Sequence, residues 1–376
     1  MRILHIAPFN IAGVPITLVK AERELGHQSR LITLAHDRRN YEEDLCLHLP
    51  FLDFWGTRWL KRWVSDPARL AVDNRKKRPS ELPPTWRPHG LVEHRLVRLR
   101  ERLWQKTIRR VMAEIDFWNF DLYQLDAGLE FFRDGRTVRR LKALGKSVIC
   151  CYTGSDLRTR GVIPEIDALS DLNVTFEFDH LQLHPRIEHI FFPFDVRNFE
   201  PRVGLEGAKK VRIGHAPTNR RAKGSDLIIA TVQELARAHA VELVLIEGLP
   251  HREALRRKAE CDIFVDQLGD LGYGINALEA LAMGIPTCSA LAPGFEARYP
   301  DHPFVAVDER SLRTRLLDLI QNEPLRRELG AKGRRWVEQH HDSRQVVKRI
   351  HELLRQATAS LSEERGRTAL EAGRPA

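Results

Sequence analysis

No run of 18 or more apolar residues occurs anywhere in the 376-residue chain, which excludes a membrane-spanning helix. Cysteine is scarce: Cys46, Cys150, Cys151, Cys261 and Cys288 are an odd set with no C-x-x-C pair. That argues against a disulfide frame or a zinc site and for buried thiols in a reducing, cytosolic compartment. The isolated histidines His36, His180, His184 and His189 lack the i, i+4 spacing of a helical metal site, and no D-x-D stands out, so no metal or cofactor is expected. G-x-S-x-G, the P-loop lysine motif and G-x-G-x-x-G are all missing, which leaves serine hydrolases and P-loop kinases without support. The N-terminal run Ile3–Ala7 is broken at once by Pro8 and Asn10 and reads as a first strand, not a secretion signal.

What is present is ordinary globular material. With 43% hydrophobic and 30% charged residues, disorder throughout is excluded. The length exceeds what one core usually supports, so two domains are expected. The net charge of +9 is unevenly distributed: Trp55–Arg110 holds 16 Lys/Arg against 5 Asp/Glu, which leaves the rest of the chain near −2. The basic character belongs to one segment, and this argues against nucleic acid as a partner of the whole chain.

Short apolar runs alternate with amphipathic stretches. Strands are expected at Arg2–Ala7, Arg30–Leu34, Leu122–Leu125, Ser147–Tyr152, Val174–Phe176 and Ile190–Phe192. A second series follows at Val211–His215, Glu242–Glu247, Asp262–Asp266, Thr287–Ala290 and Phe304–Val307, with helices at Ser225–Ala238, Arg252–Lys258 and Asn276–Met283. Such alternation predicts an α/β protein with two Rossmann-like, doubly wound parallel sheets. The expected division is a first domain over 1–200 with a basic insert at 51–110, a second over 201–345, and a C-terminal helix and frayed tail over 346–376. Helix is expected from Leu312 to Gln356. Ligands of such sheets bind beyond the carboxyl ends of the strands, so the loops after each strand are the places to search.

Three loops stand out. After Asp266 a glycine-rich stretch runs through Gly269, Asp270, Gly272, Tyr273 and Gly274 to Ile275, and a helix then carries Glu279 one turn in. Free N–H groups at a helix start favour a diphosphate, and Glu279 is placed to accept hydrogen bonds from ribose hydroxyls. The same residues also read as a flexible turn with a helix-capping acid. After His215 the loop to Gly224 carries Arg220, Arg221 and Lys223, either a phosphate-neutralising cluster or a solvated basic turn. After the Ser147–Tyr152 strand come Thr153, Gly154, Ser155, Asp156, Leu157 and Arg158. Asp156 is a candidate acid/base or acceptor-orienting group there and Arg158 a contact to a charged acceptor; Ser155 or Asp156 also suits a helix N-cap.

The stretch Asp262–Gln267 through Gly272-Tyr-Gly274 and Leu278–Pro286 resembles the donor signature of retaining, family-4-type GT-B glycosyltransferases of bacteria. Arg220–Gly224 is similar to their phosphate-binding loop, Phe192–Pro201 to their interdomain segment, and Asn10–Pro15 and Thr153–Asp156 to further conserved pieces. The resemblance implies two domains facing a central cleft, with C-terminal helices crossing back to the first domain. It implies transfer of a sugar, with retention, from a nucleotide-sugar donor to a cell-surface polysaccharide or lipid-linked glycan. Carried over, Arg220 and Lys223 bind the diphosphate and Glu279 the ribose, as the catalytic set. Gly272, Tyr273, Gly274 and Ile275 offer backbone to sugar and phosphate, Gly13 and Asp270 join the donor side, and Thr153, Ser155, Asp156 and Arg158 face the acceptor. Three positions depart from the pattern: Leu271 where a glutamate is usual, with Asp270 or Asp266 as its nearest substitutes; Thr218 where an arginine is usual, with Arg220 nearest; and Thr153 where a histidine is common. The competing readings are a sugar-nucleotide epimerase and a non-catalytic nucleotide-sugar-binding subunit.

Within the basic segment Trp55, Trp59 and Trp63 recur every four residues among Arg58, Lys61 and Arg62. On a helix they share one face, which suits the headgroup level of an anionic bilayer. Two readings stand: the segment docks on the inner membrane face, or the tryptophans pack onto the first domain and the cations form a solvated face.

Overall fold

A computed structural model describes residues 1–37, 41–52, 79–88, 90–202, 210–269 and 272–372. The chain divides into two compact units, Met1–Pro193 with Ser343–Ala376, and Phe194–Asp342. Among the described residues no helix is long and apolar enough to cross a membrane. Trp55, Trp59 and Trp63 lie outside the described residues.

The first unit is built on seven strands: β1 (Arg2–Ala7), β2 (Gln28–Thr33), β3 (Leu45–Cys46), β4 (Leu122–Asp126), β5 (Ser147–Tyr152), β6 (Leu172–Thr175) and β7 (Glu188–His189). They form one sheet in the order β3-β2-β1-β4-β5-β6-β7, with every pairing parallel. The inner strands β1, β4, β5 and β6 are buried along almost their whole length, so both faces of the sheet are covered there. Helix α1 (Val14–Glu24) starts from Gly13, whose φ of +70° is the left-handed conformation that glycine adopts without strain. Helix α2 (Gly90–Glu114) buries Trp104, Ile108 and Val111, and α3 (Arg136–Ala143) buries Val138 and Leu141. The C-terminal helix Ser343–Ala372 packs Val346, Val347, Ile350 and Leu353 with Leu18 and Ala21 of α1.

Two expectations are corrected in this unit. The last strand is Glu188–His189, not Ile190–Phe192, because the parallel ladder to β6 pairs Val174 with Glu188 and Thr175 with His189. The C-terminal helix does not end at Gln356 but runs on through Ala372. Its final turns are rich in Ala, Leu, Glu and Arg, all good helix formers, and proline first occurs at Pro375.

A charged cluster lies inside the first unit. His5, fully buried on β1, donates from Nε2 to Glu22 Oε2 at 2.9 Å, and its Nδ1 is 3.7 Å from Asp126 Oδ2. Glu22 also accepts from Ser29 Oγ at 2.5 Å and has His351 Nε2 at 3.7 Å. Burial opposes the imidazolium, but Glu22 and Asp126 outweigh it and raise His5 to about 10. For Glu22, burial is offset by His5, His351 and Ser29, which lower it to about 2. The linkage fixes the signs. His5 contributes stability fully present below about pH 6.5 and lost as pH rises toward 10. Glu22 contributes stability present above about pH 4.5 and lost as pH falls toward 2. Urea unfolding across pH is therefore expected to give a plateau between these limits, and His5→Asn is expected to flatten the alkaline decline.

The second unit holds β8 (Val211–His215), β9 (Val241–Leu245), β10 (Ile263–Val265), β11 (Thr287–Ser289) and β12 (Val305–Ala306). Its sheet runs β12-β11-β10-β8-β9, again all parallel. The helices are α4 (Arg220–Lys223), α5 (Ser225–Ala238), α6 (His251–Ala259), α7 (Ile275–Ala282), α8 (Leu312–Gln321) and α9 (Glu323–Trp336), with a further single turn at Phe295–Arg298. Counted within the unit, this is the doubly wound order 2-1-3-4-5, and strand order reverses between β8 and β10. Crevices at such a reversal are where open α/β sheets bind ligands. Cys150 and Cys151 on β5, and Cys261 and Cys288 beside β10 and on β11, are buried free thiols.

Candidate functional site

The two loops that flank this reversal are the two singled out in the second half of the sequence. Leaving β8, the chain runs to Asn219, whose side-chain oxygen accepts from Ala222 N at 3.1 Å and starts the single turn of α4. Leaving β10, it passes Asp266 and reaches α7. The loops touch: Leu268 N donates to Lys223 O at 3.0 Å. A Cβ on Gly269 would come within 2.7 Å of Ala222 O, so that approach requires glycine.

Asp266 is the brace. Only 1% exposed, it accepts from Lys223 Nζ at 2.5 Å through one oxygen and from Gly274 N at 2.8 Å through the other. One carboxylate thereby fixes the cation of the first loop against the last glycine of the second. Both of its oxygens are engaged inside the loop pair. Asp270 and Leu271 themselves lie outside the described residues. Gly272 is buried with a φ of +91°. The ring of Tyr273 stacks on Phe304 at 4.3 Å and meets Phe295 edge-on at 5.5 Å, anchoring the loop by its side chain. Ile275 opens α7 and is 39% exposed. The first N–H groups of a helix have no acceptor within it, and the dipole behind them favours an anion.

Arg220 stands at the solvent rim. Its guanidinium forks onto Glu247 at 2.8 and 2.5 Å, a bidentate pair that a diphosphate could replace with like geometry. Glu279 is set deeper. One carboxylate oxygen accepts from His251 Nε2 at 2.8 Å and the other from the Lys258 ammonium. Lys258 also donates to Asn276 Oδ1 at 2.8 Å, and Asn276 Nδ2 donates to Ala216 O at 2.9 Å. The exposed His251 ring therefore engages the Glu279 oxygen that Lys258 does not hold.

The structure thus joins Lys223, Gly274 and the start of α7 directly, with Glu279 tied in through Lys258 and Asn276. The sequence reading missed Lys258, His251 and Asn276. A signal existed: Lys258 falls three and four residues after the inward-facing Leu255 and Ala254, on the apolar stripe of α6.

In the first unit, Gly13 begins α1 at the end of β1, with Tyr41 Cδ1 3.2 Å from where its Cβ would be. It belongs to the other unit from the β8 and β10 loops. Asp156 accepts from the N–H groups of Thr153 (2.9 Å), Gly154 (2.9 Å) and Leu157 (2.8 Å). Its carboxylate clasps the turn after β5, while Ser155, at the N-cap position of the short helix that follows, makes no side-chain capping bond, so the structure does not show the expected cap. Arg158 is buried and bidentate on Asp179 at 2.8 and 2.6 Å, with Glu177 at 2.5 Å. Burial opposes its charge, but these carboxylates outweigh that and hold the guanidinium charged. Arg158 braces one strand-end loop against the next. Thr153 is partly exposed and Ser155 exposed. His180 donates from Nε2 to Gly154 O at 2.9 Å and accepts from Thr175 Oγ1 at 2.7 Å. Burial, then Arg158, lower it to about 4, so it backs this turn as a neutral ring.

No family model matches the sequence, and no curated protein sequence is similar enough to match. Solved structures do match in fold. Sucrose-phosphate synthase from Thermosynechococcus elongatus is similar over 96% of this chain and 100% of its own, with a TM-score of 0.60 at 13% identity. Anabaena HepE, solved in complex with UDP and glucose, is similar over 94% of this chain and 99% of its own, with a TM-score of 0.51 at 12% identity. The kitacinnamycin glycosyltransferase is similar over 94% and 99%, with a TM-score of 0.52 at 12% identity. With two all-parallel Rossmann-like units and these neighbours, the chain has the GT-B glycosyltransferase fold.

Proposed function

We propose that the protein is a glycosyltransferase that moves a sugar from a nucleotide-sugar donor to a cell-surface polysaccharide or lipid-linked glycan. The transfer proceeds with retention, without a metal, at the cytoplasmic face of the membrane. The observation that carries the reading is the meeting of Lys223 and Gly274 on Asp266 at the strand-order reversal between β8 and β10. HepE, of similar fold, is held with UDP and glucose, which supports a nucleotide-sugar donor. The resemblance of Leu278–Pro286 and Arg220–Gly224 to family-4-type sequences supports retention.

In this reading the bond from the anomeric carbon to the diphosphate oxygen breaks, and a bond to the acceptor oxygen forms on the same face as that hydroxyl passes its proton to the departing diphosphate oxygen. Charge grows on the departing diphosphate. Lys223, held in place by Asp266, and Arg220, exchanging Glu247 for phosphate oxygens, neutralise it together with the first turn of α7. Glu279 accepts from the ribose hydroxyls once His251 swings aside. Thr153 and Ser155 are the acceptor-side hydroxyls. Proton NMR of the reaction with an α-linked nucleotide sugar and a glycan acceptor tests this: an α-linked product is expected. A β-linked product would overturn retention. Acceptor-independent conversion of the donor to an epimer would overturn transfer itself.

A further inference from the structure

Helix α2 carries an apolar row that nothing among the described residues covers. Val92, Leu96, Leu99 and Leu103 are between 51% and 72% exposed, while Trp104, Ile108 and Val111 on the opposite side are buried in the core. Their spacing of i, i+4, i+7 and i+11 puts all four within about 60° of the helix circumference. Single exposed leucines are common, but a continuous row along one helix marks an interaction surface. Beside it runs a second row, Arg95, Arg98, Arg102, Lys106 and Arg109, all exposed and forming no ion pair among the described residues. Arg109 also lines a cavity of about 610 Å³ between α2 and α3. There Arg140 lies over Trp118 at 4.0 Å and Arg136 over Phe132 at 4.4 Å.

The charge of the occupant follows from what this chain can offer. Segment 53–78 carries eight Lys/Arg and three Asp/Glu, so it cannot neutralise the cationic row. Nor can a second copy of the helix. It carries three acids, Glu93, Glu101 and Glu114, against seven Lys/Arg; Glu101 is buried and accepts from Arg133 N, and Glu114 pairs with Arg110 at 3.5 Å. The negative charge must come from outside, on a partner that also accepts four aliphatic side chains. A nucleic-acid backbone offers no such apolar surface. The headgroup and acyl boundary of an anionic bilayer offers both.

We propose that the Val92–Leu103 row of α2 enters the interface of an anionic lipid bilayer, with Arg95, Arg98, Arg102, Lys106 and Arg109 on its phosphates. The proposal rests on the peripheral-membrane part of the proposed function and gives it a surface on described residues, independent of Trp55, Trp59 and Trp63. The test is sedimentation of the full chain with vesicles of phosphatidylcholine alone and of phosphatidylcholine mixed with phosphatidylglycerol. Binding is expected to the mixed vesicles only and to weaken with salt. Removing two cations in Arg98→Ala/Arg102→Ala should lower partitioning about 25-fold, at about fivefold each. Leu96→Asp/Leu103→Asp should lower it at least as far, with the same thermal melting as the wild type because both leucines are exposed. Equal binding to neutral vesicles would overturn the proposal, as would a dimer dissolved by Leu96→Asp/Leu103→Asp. Anionic-vesicle binding that survives both variants moves the contact off α2 and leaves the membrane reading standing. Failure of the wild type to bind at all removes both.

Discussion

Lys258→Met is expected to lower the stability of the second unit by about 3–5 kcal/mol, the usual effect of removing one partner from a buried ion pair. The ammonium is 1% exposed, pairs with Glu279 and Asn276, and sits 4.9 Å over the Phe264 ring. Without it, Glu279 keeps only His251, whose side chain is 72% exposed and whose hydrogen bond water can replace. Burial pushes the Lys258 amine below its ordinary range despite the favourable pull of Glu279, so its charge is costly to bury even when paired. The double variant Lys258→Met/Glu279→Leu is therefore expected to recover most of the loss. The urea midpoint measures both. A single variant within about 1 kcal/mol of wild type, the range of exposed pairs, would show that the pair is not the internal brace of α6 and α7.

The second large effect belongs to catalysis. Lys223→Ala is expected to reduce transfer about 10–1000-fold, the range for removing a group that stabilises a departing charge. It leaves the Asp266 carboxylate bonded to Gly274 N alone, so some loss of stability accompanies it. Lys223→Arg separates the two contributions: it restores a cation near Asp266 and should recover part of the rate. Glu279 calls for Glu279→Gln, because Glu279→Ala strands the Lys258 charge and confounds folding with binding. A comparable loss of about 10–1000-fold is expected. Wild-type rates in Lys223→Ala and Glu279→Gln would remove both residues from the reaction.

The fold was legible where a pattern is local. Val211–His215 and Ser225–Ala238 match the observed bounds of β8 and α5 because each is one apolar run or stripe closed by a turn residue. β3, two residues long at a sheet edge, leaves no such pattern. β7 is set by its register with β6, and Ile190 carries the apolar signal just beyond it. The site divided along the same line. Loop chemistry pointed to Lys223, Gly274 and Glu279, but pairing across the sheet decided what those groups do. Asp266 joins residues 43 and 8 positions away in sequence. Asp156 and Arg158, acceptor-side candidates in the sequence, also act as clasp and brace, because short-range backbone N–H groups and two later acids engage them. Lys258 is hidden by composition: the run Arg256-Arg257-Lys258 reads as a solvated face, and only its step from Leu255 turns it inward.

The central claim is that the loops after β8 and β10 hold a nucleoside diphosphate that carries a sugar. Calorimetric titration of the full chain with a panel of nucleotide sugars and their nucleoside diphosphates tests it most directly. The account predicts saturable binding of at least one nucleotide sugar and its parent diphosphate, weakened at least about tenfold in Lys223→Ala, as loss of a charged hydrogen bond would do. Absence of binding across the whole panel, or binding that Lys223→Ala leaves unchanged, would contradict it.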